Sequence, residues 1–244
     1  MKDAIIVEQL TKSYSNLVAV KSLSLSVPRG SVFGLLGANG AGKSTAIECI
    51  LGTKKQNSGT VSVLGMNPHT DRKKLFDRVG VQFQEANYQE KITVGELCEV
   101  TQALYRDAAD YRELLNQFGI ADKMQSPVSA LSGGQKQRLF VILALIPNPE
   151  VVFLDELTTG LDARARRDVW KILKRLKENG LTILLTSHFM DEVETLCDTI
   201  CILKHGEAVF YGTASEAIEA SPCSTLEDAY LWYTNEEDAA YESI

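Results

Sequence analysis

Three observations in the sequence predict an α/β domain. The opening stretch reads as strands, the middle from about Thr93 to Ile146 reads as helices, and the remainder alternates strand-like with helix-like runs. Val151-Val152-Phe153-Leu154 and Ile183-Leu184-Leu185 are continuously apolar, the pattern of parallel strands covered on both faces. The β-rich entry, helical insertion and α/β return make one composite domain over residues 1–221. Within it, 1–84 and 147–221 form the core and 85–146 a helical subdomain, with 222–244 as a short tail. At 244 residues, the chain is long enough to bury a substantial core.

Ala4–Leu10 and Leu23–Val27 carry strand character, with clear alternation in Leu23-Ser24-Leu25-Ser26-Val27. Pro28-Arg29-Gly30 is a turn signal, and Ser31–Leu36 is a further apolar strand. A glycine-rich loop leads into a helix over about Lys43–Leu51, and Thr60–Leu64 and Val79–Phe83 read as strands. Val94, Leu97, Val100, Thr101 and Leu104 keep helical spacing, as do Leu114, Leu115 and Phe118. A helix opening near Ser132 runs through Leu139–Ile146 and stops at Pro147-Asn148-Pro149, which cannot continue it. Strand Val151–Leu154, helix Ala163–Asn179, strand Thr182–Thr186, helix Met190–Cys197 and strand Thr199–Leu203 follow. The tail, with Trp232, Tyr233 and the acids Glu236, Glu237 and Asp238, reads as a short amphipathic helix with an acidic end.

Composition narrows the function classes. Twenty-five basic against 32 acidic residues give a net charge of −7, which disfavours a broad nucleic-acid surface. Five scattered cysteines fit a reducing compartment and buried thiols better than a disulfide framework. No signal-peptide pattern opens the sequence, and the longest apolar run, Leu139–Ile146, is far short of the roughly 20 residues a membrane helix needs.

Gly37-Ala38-Asn39-Gly40-Ala41-Gly42-Lys43-Ser44, followed by Thr45, fits G-x-x-x-x-G-K-[ST] in full. Glycines let successive N–H groups converge on phosphates, and the helix that follows adds its positive end. Lys43 is expected to reach the β- and γ-phosphates of ATP, and the Ser44 hydroxyl to ligate Mg²⁺. Asp155 and Glu156 close the apolar strand from Val151, and acids at the carboxyl end of a parallel strand point into the ligand crevice. Asp155 is placed for Mg²⁺ and Glu156 for the attacking water. With an ordinary carboxylate pKa of about 4.3, a Glu acts there largely by orienting that water in line.

Leu131-Ser132-Gly133-Gly134-Gln135 opens a helix with an apt N-cap and exposed N–H groups, a second anion site. Two phosphate-type sites with one lysine loop make sense if the second faces another subunit's nucleotide. With these motifs in order, the sequence resembles the nucleotide-binding domain of an ABC transporter from about Ile5 to Ala217. The resemblance implies the ABC-ATPase fold: a mixed and parallel β-core, an antiparallel β-subdomain and an inserted α-helical subdomain. It implies that Tyr14 stacks on adenine with Val20 packing the same ring, and that Gln84 reaches Mg²⁺ and links the site to the helical insertion. It further implies that Asp162 crosses a dimer interface and that His188 contacts the γ-phosphate; His69 and His205 are read as structural. One departure stands out: Leu157 follows the catalytic Glu where the family commonly has proline, which would fix φ.

The resemblance implies an ATP-dependent homodimer, or a heterodimer with a paralogous ATPase, sandwiching each ATP between one chain's phosphate loop and the other's Ser132–Gln135 turn. It also implies a separate integral membrane permease, docked on residues 85–125 at the cytoplasmic face of the membrane. His188–Leu203 and Leu226-Glu227-Asp228 resemble ATPases of bacterial drug, antibiotic-resistance and lantibiotic-type exporters, so export is expected. A soluble ABC ATPase of DNA repair, chromosomes or ribosomes would bring tandem domains, a long coiled coil or a zinc insertion, and none is seen in the sequence. A P-loop kinase or GTPase-like switch leaves Ser132–Gln135 and Gln84 unexplained.

Overall fold

The computed structural model describes residues 3–82, 88–89, 91–158 and 160–234. Strands β1 (Asp3–Tyr14) and β2 (Leu17–Pro28) form a hairpin, followed by β3 (Val32–Leu36), helix α1 (Lys43–Ile50) and β4 (Ser58–Val63). A short helix α2 (Arg72–Phe76) and β5 (Val79–Gln82) lead to the helical region. This holds α3 (Val94–Ala103), α4 (Tyr111–Gln117), two 3-10 turns (Ala121–Lys123 and Val128–Ala130) and α5 (Gly133–Leu145). The return is β6 (Val151–Asp155), α6 (Ala163–Glu178), β7 (Thr182–Thr186), α7 (Met190–Leu196), β8 (Thr199–Lys204), β9 (Glu207–Gly212), α8 (Ala214–Glu219) and α9 (Leu226–Thr234).

The strands make two sheets. A three-stranded antiparallel sheet has the order β2-β1-β4, and a six-stranded sheet the order β5-β6-β7-β3-β8-β9. The larger sheet is parallel from β5 to β8, with β9 antiparallel at the edge. Successive side chains on a strand point to opposite faces, and here that divides each apolar run between two cores. Val151, Phe153 and Leu184 join α1 and the small sheet in one cluster. Val152, Leu154, Ile183 and Leu185 join α3, α4, α5 and α6 in the other. A third cluster sets Leu226 and Tyr230 of α9 against Leu36, Val193, Ile200 and Ile202.

Several elements extend beyond their sequence signals. The first two strands run to Tyr14 and start at Leu17 because they close a hairpin with a two-residue turn, Tyr14 pairing Leu17. The polar Thr11-Lys12-Ser13 stretch hid this, and its pairing is interrupted by register shifts. Strand β9 and helix α8 were not anticipated. This edge strand has no fully buried residue although Ala208-Val209-Phe210-Tyr211 is an apolar run, and its turn was legible as well: Lys204 pairs Glu207 across His205-Gly206, both at positive φ (49° and 84°). That is the Gly-containing two-residue hairpin signature, and it gives His205 its structural role. Cys49, Cys98 and Cys201 are buried thiols, and Cys197 is half-buried. Burial pushes Cys98 and Cys201 up to about 12 and raises Cys49 and Cys197 as well. Among the described residues no helix is long and apolar enough to cross a membrane.

Candidate functional site

The loop between β3 and α1 is held at three points. Gly42 caps α1 at φ 104°, and a Cβ there would stand 2.3 Å from the Ala19 carbonyl oxygen, so the β2 backbone leaves room for hydrogen only. Gly206 N–H donates to the Ala41 carbonyl at 3.0 Å, and Lys21 N–H donates to the Gly206 carbonyl at 2.7 Å. The β8–β9 turn thus buttresses the loop, a function that the sequence reading did not assign to Gly206. Lys43 is buried, and its ammonium donates to the carbonyls of Gly37 at 2.6 Å and Ala38 at 3.1 Å.

This loop floors a cleft of about 490 Å³, the size of small-ligand sites generally. Asn39, Gly40, Gly42, Lys43, Ser44 and Thr45 line it together with Tyr14, Leu17, Ala19 and Glu156. Tyr14 and Leu17 come from the tip of the β1–β2 hairpin, and Lys12 and Lys54 ammoniums lie 5.0 Å and 5.5 Å from the Tyr14 ring centre. Val20 is a correction to the sequence expectation. It is 0% exposed inside the small sheet's core, because strand alternation turns Ala19 toward the cleft and Val20 away from it.

Asp155 and Glu156 stand at the carboxyl end of β6. Thr186, fully buried at the end of β7, donates to Asp155 Oδ1 at 2.6 Å and accepts from the Glu156 N–H at 2.9 Å. Glu156 itself lies at φ 50°, a left-handed conformation that non-glycine residues adopt at a cost and that clusters at active sites. His188 Nε2 is 2.5 Å from Glu156 Oε1. Leu157 is 1% exposed among the helical-side core residues, so packing worth about 1.5–3 kcal/mol anchors this turn where a proline would constrain φ. Gln84 lies outside the described residues.

The Ser132 turn is built differently. Ser132 caps α5, its Oγ accepting from Gln135 N–H at 3.3 Å while Gln135 Oε1 accepts from Ser132 N–H at 3.0 Å, a reciprocal capping box. Asp162 caps α6, its Oδ1 accepting from the N–H groups of Arg164 (2.9 Å) and Ala165 (2.8 Å). The two helix starts are neighbours, since a Cβ on Gly134 would sit 3.5 Å from Leu161 and one on Gly133 3.8 Å from the Gly160 carbonyl. None of Ser132, Gly133, Gly134, Gln135 or Asp162 lines the phosphate-loop cleft. The phosphate-loop cleft and the Ser132 turn are therefore separate features of the chain.

A second cleft of about 320 Å³ adjoins the loop, walled by Ala38, Asn39 and His188 on one side and by Glu227, Tyr230 and Leu231 of α9 on the other. The tail helix thus reaches the site, which no sequence signal indicated.

The family model for ABC transporters matches residues 20–159, more than half of the chain. The chain belongs to the ABC transporter family. It is an ATP-binding and ATP-hydrolysing subunit of that family, with its ABC-ATPase fold. It is 41% identical over 219 residues to a Nod factor export ATP-binding protein of Ralstonia nicotianae, covering 87% of this chain and 68% of that protein. It is 36% identical over 220 residues to the daunorubicin/doxorubicin resistance ATP-binding protein of Streptomyces peucetius, covering 87% of this chain and 66% of that one. The chain thus spans about two thirds of the length of these relatives. A dimeric post-hydrolysis structure of an ATP-binding cassette bound to ADP and phosphate superposes with a TM-score of 0.77 at 25% identity, covering 86% of this chain and 98% of that one.

Proposed function

We propose that this chain works as one of a pair of ATPase subunits that drive export through a separate integral membrane permease, at the cytoplasmic face of the membrane. The observation that carries the reading is the separation within one chain of the phosphate-loop cleft from the Ser132 turn. Each feature is half of a nucleotide sandwich, and a head-to-tail pair, homodimeric or with a paralogous ATPase, supplies the missing halves twice.

The residues fit ATP. The backbone from Gly37 to Thr45 wraps the phosphates, with Lys43 exchanging its loop carbonyls for phosphate oxygens, and Tyr14 offers an aromatic face to adenine. Ser44, Asp155 and Gln84 would hold Mg²⁺. Among the described residues no group of three or more His, Cys, Asp or Glu could hold a metal, as suits an ion that keeps waters and phosphate oxygens as ligands. The ion supplies neutralisation of charge on the phosphates as the terminal bond breaks. Glu156 accepts a hydrogen bond from the attacking water and orients it in line with the γ-phosphorus. His188, already against Glu156, is placed to donate to a γ-phosphate oxygen. Ser132, Gly133, Gly134, Gln135 and Asp162 of the partner copy close the site, so loss of the γ-phosphate removes the contact joining the two chains.

Docking on the permease is assigned to the helical region. Val100 on α3 and Leu104 at its C-terminal cap are 59% and 74% exposed, and beside them Tyr105, Arg106, Tyr111 and Arg112 line a hollow of about 370 Å³. An exposed apolar surface rimmed by polar groups is the mark of a protein contact. Export follows the relatives, whose names specify Nod factor export and daunorubicin/doxorubicin resistance.

The test is Glu156→Gln. Turnover should stop while ATP-dependent dimers accumulate in size-exclusion chromatography. Hydrolysis near the normal rate, or a monomer with ATP bound, would overturn the reading.

A further inference from the structure

Glu192 is a carboxylate that the site described above does not use. It lies on α7 and is 1% exposed, where a paired apolar residue would avoid a desolvation cost of several kcal/mol. Burial raises its pKa, and the neighbouring Asp191 adds to the rise, while hydrogen bonds from Ser187 and Trp170 oppose it. The Ser187 hydroxyl donates to Oε2 and Trp170 Nε1 donates to Oε1 at 2.9 Å. The buried Thr158 hydroxyl lies near enough to favour the charged carboxylate without closing a hydrogen bond of normal geometry.

These groups come from three different segments. Thr158 is two residues past Glu156, Ser187 immediately precedes His188, and Trp170 stands on α6, the helix that Asp162 caps. The far side of His188 is held as well. Phe189 N–H donates to Ser187 Oγ at 3.0 Å, and its ring lies 4.5 Å from the Arg166 guanidinium, which also reaches Asp191 at 3.7 Å. His188, itself exposed, is therefore carried between two residues that α6 and α7 fix in place.

We propose that Glu192 is a positioning residue for ATP hydrolysis: its buried carboxylate ties the turn carrying His188, through Ser187, to Trp170 of α6, and so maintains the Glu156–His188 contact. The inference rests on Glu156 and His188 acting together in hydrolysis. Glu192 does not touch nucleotide, and it acts through Ser187 and Trp170, which both donate to it. A misplacement of reacting groups by about 1 Å costs on the order of a hundredfold in rate, so a loosened link should register in kcat.

The experiment compares Glu192→Gln with the wild type. Glutamine keeps the volume and one acceptor, and it turns an NH2 group toward the Ser187 hydroxyl. kcat for ATP should fall about tenfold or more while KM and nucleotide affinity change less than about twofold. In a His188→Ala background, the residual single-turnover rate should be nearly insensitive to Glu192→Gln, because contacts in one network are not additive. A kcat within about twofold of wild type alongside a lowered melting temperature would reduce Glu192 to a stabilising group and overturn the proposal. An undiminished loss in the His188→Ala background would overturn it equally. Should Glu192→Gln fail to fold, Ser187→Ala removes one donor and keeps the carboxylate, and it should show the same fall in kcat without a change in KM; unchanged kcat sinks the link. Glu156→Gln and His188→Ala run in parallel separate the two levels of reasoning. If both are inactive and Glu192→Gln is normal, this inference alone falls, whereas active Glu156→Gln removes the site on which it rests.

Discussion

Replacing Gly42 by alanine is the sharpest test of how the phosphate loop is built. At φ 104° an alanine is outside the regions open to L-residues, at a cost of about 1–2 kcal/mol. Its methyl would also stand 2.3 Å from the Ala19 carbonyl oxygen, and relieving an overpacked contact of that kind costs about 1–3 kcal/mol more. The total, about 2–5 kcal/mol, is a large part of a typical domain stability of about 5–15 kcal/mol. Gly40→Ala provides the control, because Gly40 also has positive φ, 80°, but no atom lies within 4 Å of its would-be Cβ. It should lose only the backbone part, about 1–2 kcal/mol. Urea unfolding of the two variants at matched m-values reads the difference directly. Equal losses would refute the claim that the β2 backbone, through Ala19, dictates glycine at this position. ATP titration should show Gly42→Ala binding weakly even where folded, since moving the α1 start moves Lys43.

Other expectations follow from single contacts. Glu150 sits between Arg29 (2.7 Å) and Arg78 at the entry to β6. Burial works against its charge, but the two guanidiniums outweigh it and hold the carboxyl below the ordinary range. A depressed folded value gives stability that is present above the unfolded pKa and lost as pH falls through the folded one. Glu150→Gln should thus be less stable at pH 7, by no more than about 1 kcal/mol for so exposed a pair, with the gap closing in acid. A gap that widens in acid would contradict this. Leu104→Asp, at the exposed C-terminal cap of α3, should leave hydrolysis by the isolated chain unchanged and abolish recovery of the chain with its permease from membranes. Retained co-purification would remove the docking surface. Ser132→Ala breaks the capping box and should cost about 1 kcal/mol in unfolding, together with the ATP-dependent dimer in size-exclusion chromatography. Loss of stability with dimerisation intact would confine Ser132 to its own helix.

How much of this was legible in the sequence depended on whether the governing interaction was local. The loop from Gly37 to Ser44 is local chemistry, and its strand before and helix after were foreseen because backbone N–H convergence needs that order of residues. Thr182–Thr186 came out with its observed bounds because a strand covered on both faces must be apolar throughout. Strand β9 was missed although Ala208-Val209-Phe210-Tyr211 is an apolar run too; it is an edge strand paired with β8 and has no fully buried residue. Val20 was misassigned for a related reason: spacing from a motif locates the strand but not which face a residue takes, and one step of register separates the cleft-lining Ala19 from the buried Val20. The roles least visible beforehand are those made by tertiary packing. Gly206 supports the phosphate loop from the β8–β9 turn, more than 160 residues later in the chain. Thr186 binds Asp155 and Glu156 from the neighbouring strand, and Glu192 holds the turn carrying His188 to α6. Each of these is an ordinary residue by type, and each acquires its function only when the sheet sets β8 beside β3 and the ends of β6 and β7 side by side. The motif therefore fixes what the site can bind, while the residues that hold its parts in working order are set by the sheet and cannot be read one segment at a time.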